Sequence, residues 1–121
     1  MSKLSIKVGG IPYRVKWCKT MKHVEHEGQR MESLFGQTHF AKHSIRVAKD
    51  TPPERQQETL MHELVHCIVL HYQINEMVDE NGVHIERAVD LMATGIMEVL
   101  TSLGISLPDN NNEFYGINKE K

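Results

Sequence analysis

A chain of 121 residues with 40% hydrophobic content can bury one core of ordinary size but not two, so a single domain is expected. A formal net charge of -2, with acidic and basic residues interspersed, leaves no broad basic face for gripping phosphate backbones and argues against a nucleic-acid partner. No apolar run is long enough to span a membrane, which argues against that class as well.

The first ten residues alternate charged and apolar side chains and lack both the apolar run and the cleavage site of a secretory signal. The chain has only two cysteines, Cys18 and Cys67. The expectation is a reducing cytoplasm in which both are free thiols used for packing. Leu4 to Val8 and Ile11 to Trp17 alternate apolar with polar residues around Gly9-Gly10, which predicts a β-hairpin. Pro12 has no N–H for a ladder, so its part of the second strand belongs at an edge or a bulge. Residues 20–33 carry His23, Glu25, His26, Glu27 and Gly28 without periodicity and read as an irregular loop with room for a short helical turn. The His23/His26 pair reads as solvent-exposed, as do His39 and His43, which flank a turn between two short strands at Leu34 to Phe40 and Ser44 to Ala48.

Thr51-Pro52-Pro53 predicts a helix start, with Thr51 as cap, proline in the first turn and Glu54 at the positive end. The helix runs to about Gln73 with Leu60, Leu64, Cys67, Ile68 and Tyr72 at core spacings of three and four. After a polar break from Asn75 to Gly82, a second helix from about Val83 to Leu103 is apolar around most of its circumference and ends before Gly104. That pattern predicts a central, buried helix. The segment from Pro108 onward reads as a tail, mobile unless Phe114 and Tyr115 dock it, which divides the chain into a domain over 1–107 and a tail over 108–121.

His62-Glu63-Leu64-Val65-His66 lies within the first long helix, and a four-residue interval stacks the two imidazoles one turn apart on one face. That spacing lets both reach one zinc ion at about 2.0 to 2.1 Å. Glu63 borders the same face and can take a proton from a water that the ion acidifies. A catalytic zinc needs a third protein ligand, and Glu86, with 19 residues between it and His66, can return on the second helix to supply it. Asp90, one turn beyond Glu86, can hydrogen-bond a ligand histidine and hold its tautomer. Glu76, Asp79, Glu80, His71 and His84 are the other candidates for the third ligand. Shuffling this composition yields roughly 0.05 His-Glu-x-x-His matches, and roughly 0.0002 once Glu86 and Asp90 are also required, so the combination carries the signal. Met61, Met92 and Met97 read as core filler.

His-Glu-x-x-His followed by Glu-x-x-x-Asp at this distance resembles the gluzincin metallopeptidases. The Thr59-Leu60-Met61 lead-in and the strands ahead of the helix pair are similar to small phage and bacterial metallopeptidases related to the ImmA/IrrE group. The resemblance implies His62, His66 and Glu86 as zinc ligands, Glu63 as general base and Asp90 behind the ligands. It also implies a protein or peptide substrate, a regulatory protein among the targets, and a bacterial or phage-infected cytoplasm. Tyr115, Tyr72 and His84 are the residues available to steady a tetrahedral intermediate, none of them placed by the sequence. The predicted fold is α+β: a minimal zincin-like domain whose small, mostly antiparallel sheet packs on the motif helix, with a second buried helix returning Glu86. The alternative is a non-catalytic, zinc-stabilised module that binds a partner protein.

Overall fold

The computed structural model describes residues 4–19, 25–26, 29–30, 35–113 and 116–117. The predicted hairpin forms from β1 (Ser5–Val8) and β2 (Ile11–Cys18), paired antiparallel with Val8 opposite Ile11. Gly9 and Gly10 have φ of 60° and 80°, the left-handed conformation that a two-residue turn requires. Gly9 serves a second purpose: a Cβ there would lie 2.8 Å from His71 Cβ, so the missing side chain lets the turn dock on the last turn of the first long helix. The Tyr13 hydroxyl completes the docking 2.6 Å from His71 Nε2.

β2 also pairs with β6 (Ser44–Ala48), and β6 with β5 (Gly36–His39), giving the order β1-β2-β6-β5. The two outer pairings are antiparallel, but β2 and β6 run parallel, from Arg14 opposite Ser44 to Cys18 opposite Ala48. The sheet is therefore mixed: β5 runs antiparallel to β2 at the outer edge, and β6, returning from β5, lies between the two and so runs parallel to β2. Pro12 lies before the start of the β2–β6 ladder, where its missing N–H costs no bond to β6. Within residues 20–33 the described residues form a two-residue antiparallel pair, β3 (Glu25–His26) and β4 (Gln29–Arg30). His23, Leu34, Phe114 and Tyr115 lie outside the described residues, as does the His26 side chain.

α1 (Pro53–Tyr72) covers one face of the sheet. Its Leu60, Leu64, Val65 and Cys67 meet Tyr13 and Val15 of β2 and Ile45 and Val47 of β6 in one core. The alternating partners Arg14, Lys16 and Arg46 point to solvent, as strand periodicity requires. Ile68 packs at the edge of this core, whereas Tyr72, the last residue of the helix, is 64% exposed. Thr51 is not the helix cap. Pro52 occupies that position without a side-chain bond, and the Thr51 hydroxyl instead donates to Ala48 O at 3.0 Å, so the junction is held by buried Gln56, whose Nε2 donates to Thr51 O at 2.7 Å.

α2 (Glu86–Ser102) begins three residues later than its apolar pattern suggests. Val78 and His84 form an antiparallel bridge and Ile85 N–H donates to Met77 O at 2.8 Å, which commits those backbone groups to an extended segment. Nor is this helix central. Only Val89 and Ala93 are fully buried, against α1, while Leu91, Val99 and Leu103 are 60%, 57% and 63% exposed. α2 packs on α1 and on β7 (Ile105–Ser106), so one side of it has a partner and the opposite apolar side has none among the described residues.

β7 pairs with β8 (Gly116–Ile117). Residues 108–113 run back along the domain: Pro108 is buried, Asn110 N–H donates to Gln56 Oε1 at 2.7 Å, and Trp17 Nε1–H donates to Glu113 Oε2 at 2.6 Å. Both cysteines are free thiols, Cys67 in the core and Cys18 half-buried. Among the described residues no helix is long and apolar enough to cross a membrane.

Candidate functional site

Four residues of the two helices meet where the start of α2 crosses the middle of α1. His62 and His66 stand one turn apart on α1 with ring centroids 4.9 Å apart. Glu86, the first residue of α2, reaches both: its Oε2 lies 3.0 Å from His62 Nε2 and its Oε1 3.0 Å from His66 Nε2. These ligand atoms fall within 4.8 Å of one another. A carboxylate in a first helical turn faces unpaired N–H groups and the positive end of the helix, which favours its ionised form there. Asp90, one turn on, sets Oδ1 2.8 Å from His62 Nδ1. The sequence-predicted set of His62, His66, Glu86 and Asp90 is thus brought together.

The electrostatics follow from these contacts. In the metal-free protein the hydrogen bond to Glu86 raises the His62 pKa to about 9, aided by the charge of Glu63 and by Asp90, against the opposing effect of burial. The Glu86 carboxyl is held well below the usual carboxylate range, first by the bond to His62 and then by His66. Together the groups form a cationic imidazole on a bidentate carboxylate.

Glu63 points from the same helix toward the sheet and is 7% exposed. Its Oε1 accepts a hydrogen bond from the Thr38 hydroxyl of β5 at 2.7 Å. Burial raises its pKa, with the Thr38 bond and the nearby histidines acting in the opposite direction. Gly36, also on β5, is what allows the strand to come so close: a Cβ there would lie 2.4 Å from Thr59 Cγ2 and 3.2 Å from Glu63 Cγ. Thr38 and Gly36 were not singled out as site residues by sequence reasoning. The available signal was Gly36 itself, since a glycine inside a strand pattern often marks a close backbone approach.

The other candidates for the third ligand go elsewhere. Asp79 Oδ1 accepts from Asn81 and Val83 N–H at 2.8 and 3.0 Å, His71 is bonded to Tyr13, and Glu76 and Glu80 do not join the cluster. His84 is adjacent to the site, its Nδ1 2.8 Å from His66 Nδ1, on the ring edge opposite the Nε2 that faces Glu86. Burial lowers its pKa, which favours the neutral imidazole.

Two clefts meet at His62 and Asp90. One, of about 240 Å³, lies over Phe35, Gly36 and Thr59 beside Glu63, with the Arg55 guanidinium 5.5 Å from the Phe35 ring centre. The other, of about 480 Å³, runs between the helices past Ala93 and Met97. Two imidazole nitrogens and a carboxylate, backed by the buried Glu63 carboxyl group at an open cleft, form a donor set suited to a divalent ion.

No curated protein and no solved structure matches the chain. The sequence profile of the M78 peptidases, described as an IrrE N-terminal-like domain, matches residues 21–98. That span is well over half of the chain and contains every residue of the cluster, and on that ground the chain belongs to the M78 peptidase family.

Proposed function

We propose that the protein is a zinc-dependent endopeptidase, with His62, His66 and Glu86 as metal ligands and Glu63 as general base. One observation carries this reading: Nε2 of His62, Nε2 of His66 and the Glu86 carboxylate converge within 4.8 Å while Glu63 is buried beside them. Two histidines and a glutamate are a zinc hydrolase donor set, which leaves room for water or substrate. Zinc, when bound, supplies Lewis acidity toward a carbonyl oxygen and toward water.

The residues divide the remaining work. Asp90 accepts from His62 Nδ1–H and so keeps Nε2 free as a ligand atom. Glu63 takes a proton from the attacking water and returns it to the leaving amine. Burial moves its pKa toward the working pH, as such a two-way transfer needs, and Thr38 fixes the carboxylate that does it. β5 is an outer strand of the sheet among the described residues, so an extended peptide can pair with its outer edge and lie along the cleft over Gly36 and Glu63. Main-chain pairing of this kind supports a protein substrate with an accessible extended segment. The ImmA/IrrE resemblance adds a regulatory protein as the target class.

The expected result is about one zinc per chain and cleavage of a loosely folded protein substrate that stops on chelation and returns with zinc. A zinc-loaded protein that binds a partner stoichiometrically and leaves it uncut, with Glu63→Gln binding it equally well, would instead support the binding-module reading.

A second expectation concerns protons. With a pKa of about 9, His62 of the metal-free protein is protonated at pH 7, and Nε2 must lose that proton to bind a metal. Zinc uptake at pH 7 is therefore expected to release about one proton, seen as a dependence of the calorimetric enthalpy on the ionisation enthalpy of the buffer. The release should fade as the pH rises through 9. The same raised pKa means that the contribution of His62 to metal-free stability is complete below about 6.5 and is lost as the pH climbs through about 9.

A further inference from the structure

We propose that His84 is the positioning residue for His66, accepting the hydrogen bond from His66 Nδ1–H and so fixing the ring and tautomer that present Nε2 to the metal. This rests on the zinc-site reading above. The arrangement begins in the backbone between the helices. Asp79 N–H donates to Val83 O at 2.8 Å, Gly82 N–H to Asp79 O at 3.0 Å, and Gly82 takes a φ of 77° to close the turn. The Asp79 side chain ties the inside of that turn through Asn81 and Val83, and the Val78–His84 bridge fixes the extended segment that leads into α2. His84 is therefore presented from a closed turn.

Its ring is held from two sides. The Phe40 ring, just after β5, meets it at 64° with centroids 6.0 Å apart. On the other side, the His66 and His84 planes are within 14° of each other, with centroids 5.0 Å apart and Nδ1 atoms 2.8 Å apart. A 5.0 Å centroid separation is close to the N···N distance plus the two ring radii. The imidazoles therefore lie edge to edge in nearly one plane, the geometry of a straight N–H···N hydrogen bond, and not face to face.

Only one of the two Nδ1 atoms can carry the proton in that bond. A His66 that ligates through Nε2 must keep its proton on Nδ1, so His84 Nδ1 is the acceptor and His84 keeps its own proton on Nε2. Each ligand imidazole then has an acceptor behind it, a carboxylate for His62 and a neutral ring for His66. Asparagine carries its amide oxygen as many bonds from Cα as histidine carries Nδ1, so it can take over as acceptor. Leucine fills space without accepting.

The test is zinc affinity by chelator competition for the unsubstituted protein, His84→Leu and His84→Asn, with long-range ¹H–¹⁵N spectra of the zinc-loaded unsubstituted protein. His84→Leu is expected to weaken zinc binding about 10- to 100-fold and His84→Asn to recover most of the loss. The spectra are expected to show His66 protonated on Nδ1 and His84 on Nε2. A His84→Leu protein that holds zinc as tightly as the parent, or a loaded protein with the His84 proton on Nδ1, overturns the inference and leaves the metal site standing. A parent protein that takes up no zinc overturns both.

Discussion

Glu63→Gln is expected to retain zinc and to lose about 10² to 10⁴ in the rate of peptide cleavage, the range that positioned acid–base catalysis contributes. Glutamine has the same shape, and its amide oxygen can still accept the Thr38 hydroxyl at the 2.7 Å that Glu63 Oε1 occupies. What it lacks is the capacity to take and return a proton. Stability gives an independent check that the substitution is clean. Burial raises the Glu63 pKa in the fold, so ionisation of that group costs the metal-free parent stability as the pH rises through the folded value. The amide carries no such cost, and metal-free Glu63→Gln should be at least as stable as the parent near neutrality and match it in acid. A variant that cleaves as fast as the parent would remove Glu63 from the mechanism.

Glu86→Ala is expected to abolish retention of zinc through purification and to erase the metal-dependent rise in thermal stability. A ligand that binds only the folded state adds about 2.7 kcal/mol at a hundredfold excess over its Kd, which is the rise at stake. Removing Glu86 takes away the carboxylate that, among the described residues, is common to both Nε2 atoms. Asp90→Ala removes only the support behind His62 and should cost about 10- to 100-fold in zinc affinity, leaving a measurable site. The metal-free protein should change little, because the Glu86 side chain is 68% exposed and exposed pairs contribute about 0 to 1 kcal/mol. Zinc titration of the three proteins, followed by competition and by thermal unfolding, orders them as parent, Asp90→Ala, Glu86→Ala. Equal affinity in the parent and Glu86→Ala would move the third ligand to another residue.

Much of this site is local in origin, and what is local can be read from the chain. A His-Glu-x-x-His run inside a helix stacks two imidazoles by helical geometry alone, and Glu86 and Asp90 share a helix face for the same reason. The hairpin at Gly9-Gly10, the outer strands and the length of α1 are equally local, set by alternation, turn residues and core spacing. Other features depend on which elements meet. The parallel pairing of β2 with β6 follows from the route of the chain, on which alternation is silent. The apolar circumference of α2 says that it prefers burial, but whether a third layer finds partners on both sides is a property of the assembled layers, and among the described residues it finds one. Thr38 and Gly36 become part of the site only because β5 passes over Glu63, and His84 only because a closed turn brings it edge to edge with His66. Spacing along two helices was thus enough to name the metal-binding residues proposed here. Asp90 behind His62 was legible in the same way, whereas the contacts of Thr38 with Glu63 and of His84 with His66 emerged only from tertiary packing, because they join residues that no helical or strand period connects.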